Sequence, residues 1–223
     1  MSSRYDRLLS LSSFSEEDLK TLQSKKVLII GVGGVGQHIA TYLITNGIEH
    51  LTIVDYDVVE ISNLNRQILL TEKDIGKPKV NVVKKALLER NSDAEVKSIN
   101  AKLSESNASD IITDEYDIVV DALDNWEGKF IISDTCHARN IPFLHIGVDG
   151  MSGQFCIFKD KSLRGVLPSE VVKEVRDGVM GPVVGSVSAM ASFYLIEHLL
   201  NKKEIDKLIS VDFIDNSVKS IKL

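Results

Sequence analysis

The chain has 223 residues and a net charge of −6, with 43% hydrophobic and 26% charged residues. This length suits one compact α/β domain with a full core, and the composition is ordinary for a globular protein. The excess of acidic residues argues against non-specific binding to nucleic acid or to anionic membranes, because both need basic surfaces.

Cysteine usage and hydrophobic stretches set further limits. The two cysteines, Cys136 and Cys156, belong to no C-x-x-C pair, so the sequence predicts no disulfide framework and a reducing, cytoplasmic environment. Residues 1–11 are interrupted by charged side chains, which disfavours a signal peptide. Pro182–Leu200 is apolar but short for a membrane span and contains glycine and serine, so a buried helix is predicted there.

The N-terminal part of the chain has the pattern of a βαβ unit. A capped helix is predicted to begin at Ser15. The continuous apolar run Val27–Ile30 predicts a strand that is buried on both faces. It leads directly into the glycine-rich segment Gly31–Gly36 and a helix closed by Asn46-Gly47, and a second strand over 51–54 follows.

Strands and helices continue to alternate up to residue 146. The irregular polar stretch 60–76 is longer than most connections in compact domains, and such loops are usually functional. The remaining predicted elements are a helix at 78–90, a strand at 96–99, a further helix, a strand at 118–122, a helix at 129–139 and a strand at 142–146. Two later strands, 154–158 and 210–215, are predicted to be antiparallel additions. We expect a Rossmann-like, mostly parallel α/β sheet with helices on both faces and antiparallel edge strands, in one domain over 1–223.

The glycine-rich segment predicts a nucleotide site. The glycines Gly31, Gly33, Gly34 and Gly36 let the backbone turn tightly and approach a phosphate, and the following helix offers free N–H groups to it. Asp55, about one βα unit later, is placed to accept hydrogen bonds from a ribose. This pattern fits an NAD-dependent dehydrogenase as well as an ATP-binding enzyme, so the nucleotide must be decided by other residues.

Cations in the next loop favour a triphosphate. Arg66 and Lys79 flank the functional-looking stretch and could both fold back over the glycine-rich segment, and a triphosphate needs several cations. Asp121 and Asp124 lie at the end of the fourth predicted strand, where open α/β sheets bind ligands. Mg²⁺ prefers one or two carboxylates together with phosphate oxygens. We favour Asp124 for Mg²⁺, because Asp121 would still lie inside the strand.

Taken in order, these residues resemble the ThiF/MoeB/HesA superfamily, the bacterial relatives of the ubiquitin-activating enzymes. The resemblance covers nearly the whole chain. It rests on the segments Arg4–Arg7, Gly31–Gly36, Asp55 with Asp57, Ser62–Gln67, Gly76–Lys79, Asp121–Asn125 and Gly178–Gly185. Each segment is weak alone, but their order and spacing together are highly specific.

The resemblance implies a role for each matching residue. Asp55 would hold the ribose of ATP with Asp57 nearby, and Asp124 would hold Mg²⁺. The nucleotide and its phosphates would further contact Asn63, Arg66, Gln67, Lys79 and Asn125. Arg7 matches an arginine that reaches into the site of the partner subunit, and such proteins are typically homodimers. The implied catalytic residues are Arg66, Lys79, Asp124 and Arg7.

The chain departs from this family in its cysteines. Many members hold a structural zinc with two C-x-x-C pairs, which this sequence lacks, so no zinc is predicted. Members that form a thioester carry a cysteine where residues 159–180 have none. Cys136 and Cys156 fit buried core positions, so we expect adenylation without a thioester on this chain. His38 and His145 are assigned packing or surface roles, because no nucleophile is paired with them.

The predicted function is ATP-dependent adenylation of a carboxylate, giving an acyl-AMP and pyrophosphate. By resemblance, the acceptor would be the C-terminal glycine of a small ubiquitin-like sulfur carrier in thiamine or molybdopterin synthesis. The alternatives are a peptide or modified tRNA base as acceptor, an NAD-dependent oxidoreductase, and a nucleotide-binding module without turnover. Neither a membrane nor, given the acidic charge, a nucleic acid is the expected partner.

Overall fold

The structure, a computed structural model, describes residues 3–167, 178–202 and 207–223. The helices are α1 (Asp6–Leu9), α2 (Glu16–Ser24), α3 (Gly34–Thr45), α4 (Lys79–Arg90), α5 (Ala108–Ile111), α6 (Trp126–Arg139), α7 (Leu163–Val166) and α8 (Gly181–Leu199). The strands are β1 (Lys26–Ile30), β2 (His50–Asp55), β3 (Glu95–Asn100), β4 (Ile118–Asp121), β5 (Phe143–Asp149), β6 (Ser152–Phe158), β7 (Lys207–Asp212) and β8 (Ser217–Lys222). Two short 3₁₀ turns, Ile61–Asn63 and Glu72–Asp74, lie in the loop between β2 and α4.

The strands form one sheet in the order β3-β2-β1-β4-β5-β6-β7-β8. The five strands from β3 to β5 pair in parallel. The last three strands pair antiparallel to their neighbours. The predicted fold class, a Rossmann-like mostly parallel sheet with antiparallel edge strands, is therefore confirmed.

The central strands are apolar throughout because both faces of the sheet are covered. In β1, Val27 and Ile29 belong to the core on one face, and Leu28 and Ile30 belong to the core on the other. Helices α2, α3, α4 and α8 contribute to the first core, and α5, α6 and α7 contribute to the second. A strand enclosed in this way cannot show polar alternation, which explains its continuous hydrophobic sequence.

Helix α8 is the apolar segment that raised the question of a membrane span. It packs on α3 and on strands β5 and β6, and Val187, Ala191 and Leu195 are completely buried. Within the described residues, no helix combines the length and hydrophobicity that crossing a membrane requires. The prediction of a buried helix is confirmed.

Some predicted boundaries were wrong. Helix α6 begins at Trp126 rather than at 129, because the Asn125 side chain caps it by accepting a hydrogen bond from the Gly128 N–H at 2.8 Å. The strand predicted at 210–215 ends at Asp212, whose carboxylate accepts hydrogen bonds from two backbone N–H groups of the following turn. That turn leads into β8, which the sequence analysis missed. No element was predicted between 158 and 182, where the structure has α7, and residues 168–177 lie outside the described ranges.

The order of the strands places a ligand-binding crevice at one position. The connection from β1 runs through α3 on one face of the sheet, and the connection from β4 runs through α6 on the opposite face. Between neighbouring strands whose helices diverge, a crevice opens at the carboxyl ends. The carboxyl ends of β1 and β4 therefore mark the candidate site.

Candidate nucleotide-binding site

A cleft with a volume of about 870 Å³ opens at the carboxyl edge of the parallel strands. It brings together residues that are far apart in the sequence. The predicted site residues that line it are Gly31, Gly33, Gly34, Asp55, Asp57, Asn63, Arg66, Gln67, Lys79, Asp124 and Asn125. The structure thus assembles most of the predicted set in one place.

The glycine-rich turn between β1 and α3 forms the floor of the cleft. Gly31 has a φ of +95°, and a Cβ atom there would lie 2.6 Å from the Ala122 carbonyl oxygen. A Cβ atom at Gly36 would collide with the Gly31 carbonyl oxygen. Gly36 is thus buried inside α3 and not part of the cleft wall, and it permits the turn to close tightly. The α3 N-terminus is left facing the cleft, where its N–H groups can meet an anion.

Asp55 holds this turn from the neighbouring strand. Its carboxylate accepts hydrogen bonds from the Val32 N–H at 2.8 Å and from the Asp57 N–H at 2.9 Å. These contacts place the carboxylate beside the glycine-rich turn, at the carboxyl end of β2. An acidic residue in this position can accept hydrogen bonds from ribose hydroxyls while it keeps the loop in shape.

Lys79 and Asp57 form an ion pair in the cleft. The Lys79 ammonium lies 2.8 Å from Asp57 Oδ2, and the Lys79 side chain is 6% exposed whereas that of Asp57 is 46% exposed. The loop places them together because the Lys79 N–H also donates to the Asp57 carbonyl. A buried ammonium needs an anion nearby. Asp57 supplies that anion within the chain, and a bound phosphate could share the Lys79 ammonium with it.

Arg66 lies over the glycine-rich turn, as predicted, and Gln67 lies beside the same turn. A Cβ atom at Gly34 would meet the Arg66 Cγ atom at 3.3 Å, and one at Gly33 would meet Gln67 Nε2 at 3.9 Å. Arg66 is half-buried, and its guanidinium donates to the Ser62 carbonyl at 3.0 Å and lines the cleft. Its stem is therefore fixed above the turn, while its charged end remains accessible to a ligand.

Two neighbouring polar residues support this loop. The Asn63 side chain is buried and accepts a hydrogen bond from the Glu60 N–H at 3.1 Å, so it shapes the first 3₁₀ turn. The buried Gln37 side chain donates to Gln67 Oε1 at 3.2 Å and accepts from the Leu69 N–H at 2.9 Å. The sequence analysis missed Gln37, and its place one residue after Gly36 in α3 is the signal that could have found it. Gln37 ties the cationic loop to the helix that begins at the glycine-rich turn.

Asp124 and Asn125 form the opposite wall, after the end of β4. Asp124 is exposed and lines the cleft in the segment that follows β4, whereas Arg66 and Lys79 come from the segment that follows β2. Asn125 also lines the cleft, although its Oδ1 atom caps α6. Asp124 and Glu127 are the acidic residues of this wall, and Asp124 is the one that the sequence analysis favoured for a cation.

A buried polar cluster lies behind that wall. The Lys129 ammonium lies 3.1 Å from both carboxylate oxygens of Asp121 and donates to the Ile146 carbonyl at 2.8 Å. His145 Nδ1 lies 2.9 Å from Asp121 Oδ2. Asp121 is completely buried and is the last residue of β4, so the prediction that it lies inside the strand is confirmed. The sequence analysis missed its partners. Lys129 is the fourth residue of α6, and His145 lies on the neighbouring strand, a contact that only the sheet order reveals.

The electrostatics of this cluster depend on burial and pairing. Burial alone would raise the pKa of Asp121, but the Lys129 ammonium and the hydrogen bond from His145 hold it below its usual value. Burial, together with Lys129, lowers the pKa of His145. Burial also raises the pKa of Cys136 to about 12, and both cysteines are buried, as predicted. Asp121 is therefore ionised and His145 neutral at neutral pH.

Arg7 lies outside the cleft of its own chain. Its segment is anchored beside the C-terminal end of α4, where Arg4 donates to the Arg90 carbonyl at 2.8 Å. Lys79 lies in the cleft at the first residue of α4, which has 12 residues. At 1.5 Å per residue, the two ends of α4 are about 18 Å apart. Arg7 is exposed there and cannot serve the site beside Lys79.

Comparisons with known proteins decide the family. The ThiF family model matches residues 5–223. The chain belongs to the ThiF family. This match includes every predicted site residue and the whole of the sheet described above.

Curated relatives agree with this assignment. The chain is 31% identical to the molybdopterin-synthase adenylyltransferase of Haemophilus influenzae, with 99% of this chain and 94% of that protein covered. It is 33% identical to the adenylyltransferase and sulfurtransferase MOCS3 of Culex quinquefasciatus, with 99% of this chain and 52% of that protein covered. The chain thus spans nearly the full length of the first relative and about half the length of the MOCS3 proteins.

Solved structures share the fold. Escherichia coli MccB with AMPCPP and MccA superposes with a TM-score of 0.88 at 24% identity, covering 99% of this chain and 71% of that one. The same protein with ATP gives a TM-score of 0.85 at 24% identity, with the same coverage. At this level of identity the likeness concerns the fold.

The glycine-rich turn yields a first prediction. Gly36→Ala should lower the free energy of unfolding by about 1–3 kcal/mol, the range for overpacking, because the new Cβ atom displaces the Gly31 carbonyl. Urea denaturation measures this change. Gly165→Ala is the control, because nothing closer than 3.7 Å would meet its Cβ atom. Equal stability of Gly36→Ala and the unmodified protein would contradict the close approach.

The buried cluster yields a second prediction. Lys129→Met should lower the free energy of unfolding at pH 7 by about 3–5 kcal/mol, because Asp121 becomes a buried charge that loses its main partner. Burial would then raise the pKa of Asp121 above its unfolded value, so the missing stability should return as the pH falls through that raised pKa. Urea denaturation at pH 7 and about pH 5 measures the difference. Adding Asp121→Asn should recover stability at pH 7, and a deficit that grows on acidification would contradict this account.

Proposed function

We propose that this chain is an ATP-dependent adenylyltransferase that joins a carboxylate to AMP and releases pyrophosphate. The observation that carries the proposal is the arrangement of charge around one cleft. Cationic Arg66 and Lys79 come from the segment that follows β2, the Asp124 carboxylate comes from the segment that follows β4, and all three line the cleft. The family and the names of its adenylyltransferase relatives support this choice over an NAD-dependent oxidoreductase.

The residues present fit a magnesium ion. Asp124 supplies one exposed carboxylate at the cleft, and the described residues contain no group of three or more acidic, histidine or cysteine side chains suited to a metal. Mg²⁺ is commonly held by one or two carboxylates together with substrate phosphates, so a single aspartate is adequate. We propose that Asp124 holds Mg²⁺ when ATP is bound. The ion would neutralise phosphate charge and help to align the reacting groups.

The chemical step brings two anions together. A carboxylate oxygen attacks the α-phosphorus atom, the bond to the bridging oxygen breaks, and pyrophosphate leaves with that electron pair. Because proton transfer is not required, catalysis depends on charge neutralisation and alignment. In this proposal, Arg66 and Lys79 bind phosphate oxygens, the α3 N-terminus donates N–H groups, and Asp55 holds the ribose.

In this proposal, Lys79 gains a phosphate as a second anionic partner when ATP binds. In the free protein its ammonium is paired with Asp57 at 2.8 Å. A phosphate that enters beside Lys79 would share the ammonium and face the exposed Asp57 carboxylate. Asp57 therefore compensates the charge of Lys79 in the empty cleft, since a buried ammonium without an anion nearby is destabilising.

The acceptor proposed first is the C-terminal carboxylate of a small sulfur-carrier protein. The names molybdopterin-synthase adenylyltransferase and MOCS3 among the relatives support it. A peptide is the second candidate, since the cleft continues along β5 and β6 past Gly147 and Gln154. Residues 1–223 would act as a single adenylation domain. The two free, buried cysteines suit the reducing environment of the cytoplasm, which is the proposed location.

The proposed assembly is a homodimer in which Arg7 enters the cleft of the partner subunit. Arg7 is exposed and lies a helix length away from its own Lys79, so it can contribute to a site only in a second copy. Arg7 of the partner would then be the fourth positive group around the triphosphate, after Arg66, Lys79 and the magnesium ion. The proposal also retains the expectation that no zinc is needed, since no cysteine pair could hold one.

Pyrophosphate exchange into ATP tests the function. The unmodified protein should catalyse exchange that depends on Mg²⁺ and on an added carrier ending in Gly-Gly. Arg66→Ala and Asp124→Ala should each lower the rate by about 100-fold or more, as removal of a transition-state charge partner does. Lys85→Ala, an exposed site on the outer face of α4, serves as the control. Unchanged exchange in either cleft variant would remove that residue from the site.

Mixing inactive variants tests the role of Arg7. Arg7→Ala mixed with Asp124→Ala should recover about a quarter of the unmodified rate, because half of the dimers are mixed and each contains one complete site. Arg66→Ala mixed with Asp124→Ala is the matched control and should recover nothing, because both residues belong to the same cleft. Equal recovery in both mixtures, or none in the first, would contradict donation across an interface.

A further inference from the structure

His145 has one ring nitrogen that the fold leaves without a partner. Its Nδ1 atom lies 2.9 Å from Asp121 Oδ2, but Nε2 is buried and lacks a hydrogen-bond partner among the described residues. The side chain is 3% exposed. Trp126 stacks on one face of the imidazole with ring centroids 6.1 Å apart, and Phe158 presents an edge at 6.5 Å. A buried acceptor in apolar surroundings is destabilising unless a ligand satisfies it.

The position of His145 separates it from the nucleotide half of the cleft. His145 lies on β5 and lines the cleft together with Trp126. Strand β4 lies between β1 and β5 in the sheet, so β1 and β5 are about 10 Å apart at the usual strand spacing. The glycine-rich turn and Asp55 follow β1 and β2, on the other side of β4. The side with His145 is therefore the side from which a carboxylate would approach the α-phosphate.

The contacts of Asp121 determine what Nε2 can do. Because Nδ1 faces an ionised carboxylate, the ring proton belongs on Nδ1, and the neutral imidazole presents a lone pair at Nε2. Lys129 contacts both Asp121 oxygens and donates to the Ile146 carbonyl, so the charge of Asp121 is already compensated. An aspartate compensated in this way does little to stabilise an imidazolium. His145 is thus built as a hydrogen-bond acceptor and is poorly suited to act as a general base.

We propose that His145 is a specificity-determining residue whose Nε2 atom accepts a hydrogen bond from an N–H group of the acyl substrate. Carboxylate and phosphate oxygens cannot donate this bond. A peptide or protein C-terminus can donate it. In the last residue, the amide nitrogen is bonded to the α-carbon that carries the reacting carboxylate, so the N–H lies two bonds from the carboxyl carbon. This inference rests on the proposed adenylation and adds the residue that selects an amide-linked acid.

A pair of isosteric probes tests the donor. One is a short peptide ending in Gly-Gly, and the other is its depsipeptide, in which an ester oxygen replaces the last N–H. The unmodified protein should exchange pyrophosphate about tenfold more efficiently, in kcat/KM, with the peptide than with the ester, the size expected for one lost hydrogen bond. The ester changes neither the length nor the carboxylate of the probe.

Two variants separate the Nε2 atom from the rest of the ring. His145→Asn keeps a donor near Asp121 but has no atom at the Nε2 position, so its preference for the peptide should fall to within about twofold. His145→Gln places an amide oxygen near Nε2 and should keep a larger part of the preference. His137→Asn, an exposed change on α6, should behave like the unmodified protein. Thermal melting of each variant identifies loss of fold.

The outcomes distinguish this inference from the proposed function. If the peptide and the ester react equally in the unmodified protein, or if His145→Asn keeps the full preference, the inference is overturned while adenylation stands. The second result would leave the N–H to another acceptor, such as a backbone carbonyl or a water on the magnesium ion. If neither probe supports exchange although the added Gly-Gly carrier does, the inference is overturned and adenylation stands; if the carrier also fails although ATP binds, the proposed function itself is contradicted.

The tautomer of His145 gives a readout that does not depend on activity or on the fold of a variant. Long-range ¹H–¹⁵N spectra of the unmodified protein, with the His145 signal assigned from the His145→Asn spectrum, should show a neutral ring protonated on Nδ1. Addition of ATP, Mg²⁺ and the Gly-Gly peptide should shift the Nε2 signal in the direction of an accepted hydrogen bond, and the ester should not. A ring protonated on Nε2 in the free protein would overturn the inference.

Discussion

The cleft depends on the close approach of the turn after β1 to the end of β4. Gly31 adopts a left-handed conformation and lies against the Ala122 carbonyl, and Gly36 lies against the Gly31 carbonyl inside α3. No side chain can be inserted at either contact without displacing backbone. Because the turn is this tight, the N-terminus of α3 opens between two strands whose helices lie on opposite faces, and the anion site is formed by backbone before any charged side chain is added.

The charged residues are arranged around that turn so that each buried charge has a partner. Lys79 is paired with Asp57, and Asp121 is paired with Lys129 and His145. Removal of one partner from a buried pair is far more destabilising than the pair is stabilising, which is why such groups occur together. The arrangement leaves the half-buried Arg66 and the exposed Asp124 lining the same cleft, on the segments that follow β2 and β4, and the proposed ligand carries the phosphate and magnesium that these two charges would meet.

Much of this could be predicted from the sequence, because the central strands and the glycine-rich segment have strong local patterns. Continuous apolar runs located β1 and β4, and the glycines located the cleft. The start of α6 was placed too late because capping by Asn125 depends on side-chain geometry. β8 was missed because its exposed, polar strand has no buried face to give alternation.

Contacts between distant segments were the part that the sequence could not supply. The pairing of Asp121 with His145 depends on β4 and β5 being neighbours in register, where the two residues are directly opposite. The position of Gln37 after Gly36 could mark it as part of the glycine-rich turn, but its hydrogen bond to Gln67 depends on how α3 and the loop after β2 are placed in the fold. His145 was assigned a packing or surface role from the sequence, and its unpartnered Nε2 atom gives that side chain a second use.

The central claim is that the cleft holds a triphosphate, and calorimetric titration measures this most directly. Titration of the protein with ATP in the presence of Mg²⁺ should show one site per chain, with binding weakened at least about tenfold in Lys79→Met, where the ion pair with phosphate is lost. NADH should not bind under the same conditions. Saturable binding of NADH together with no binding of ATP would contradict the account.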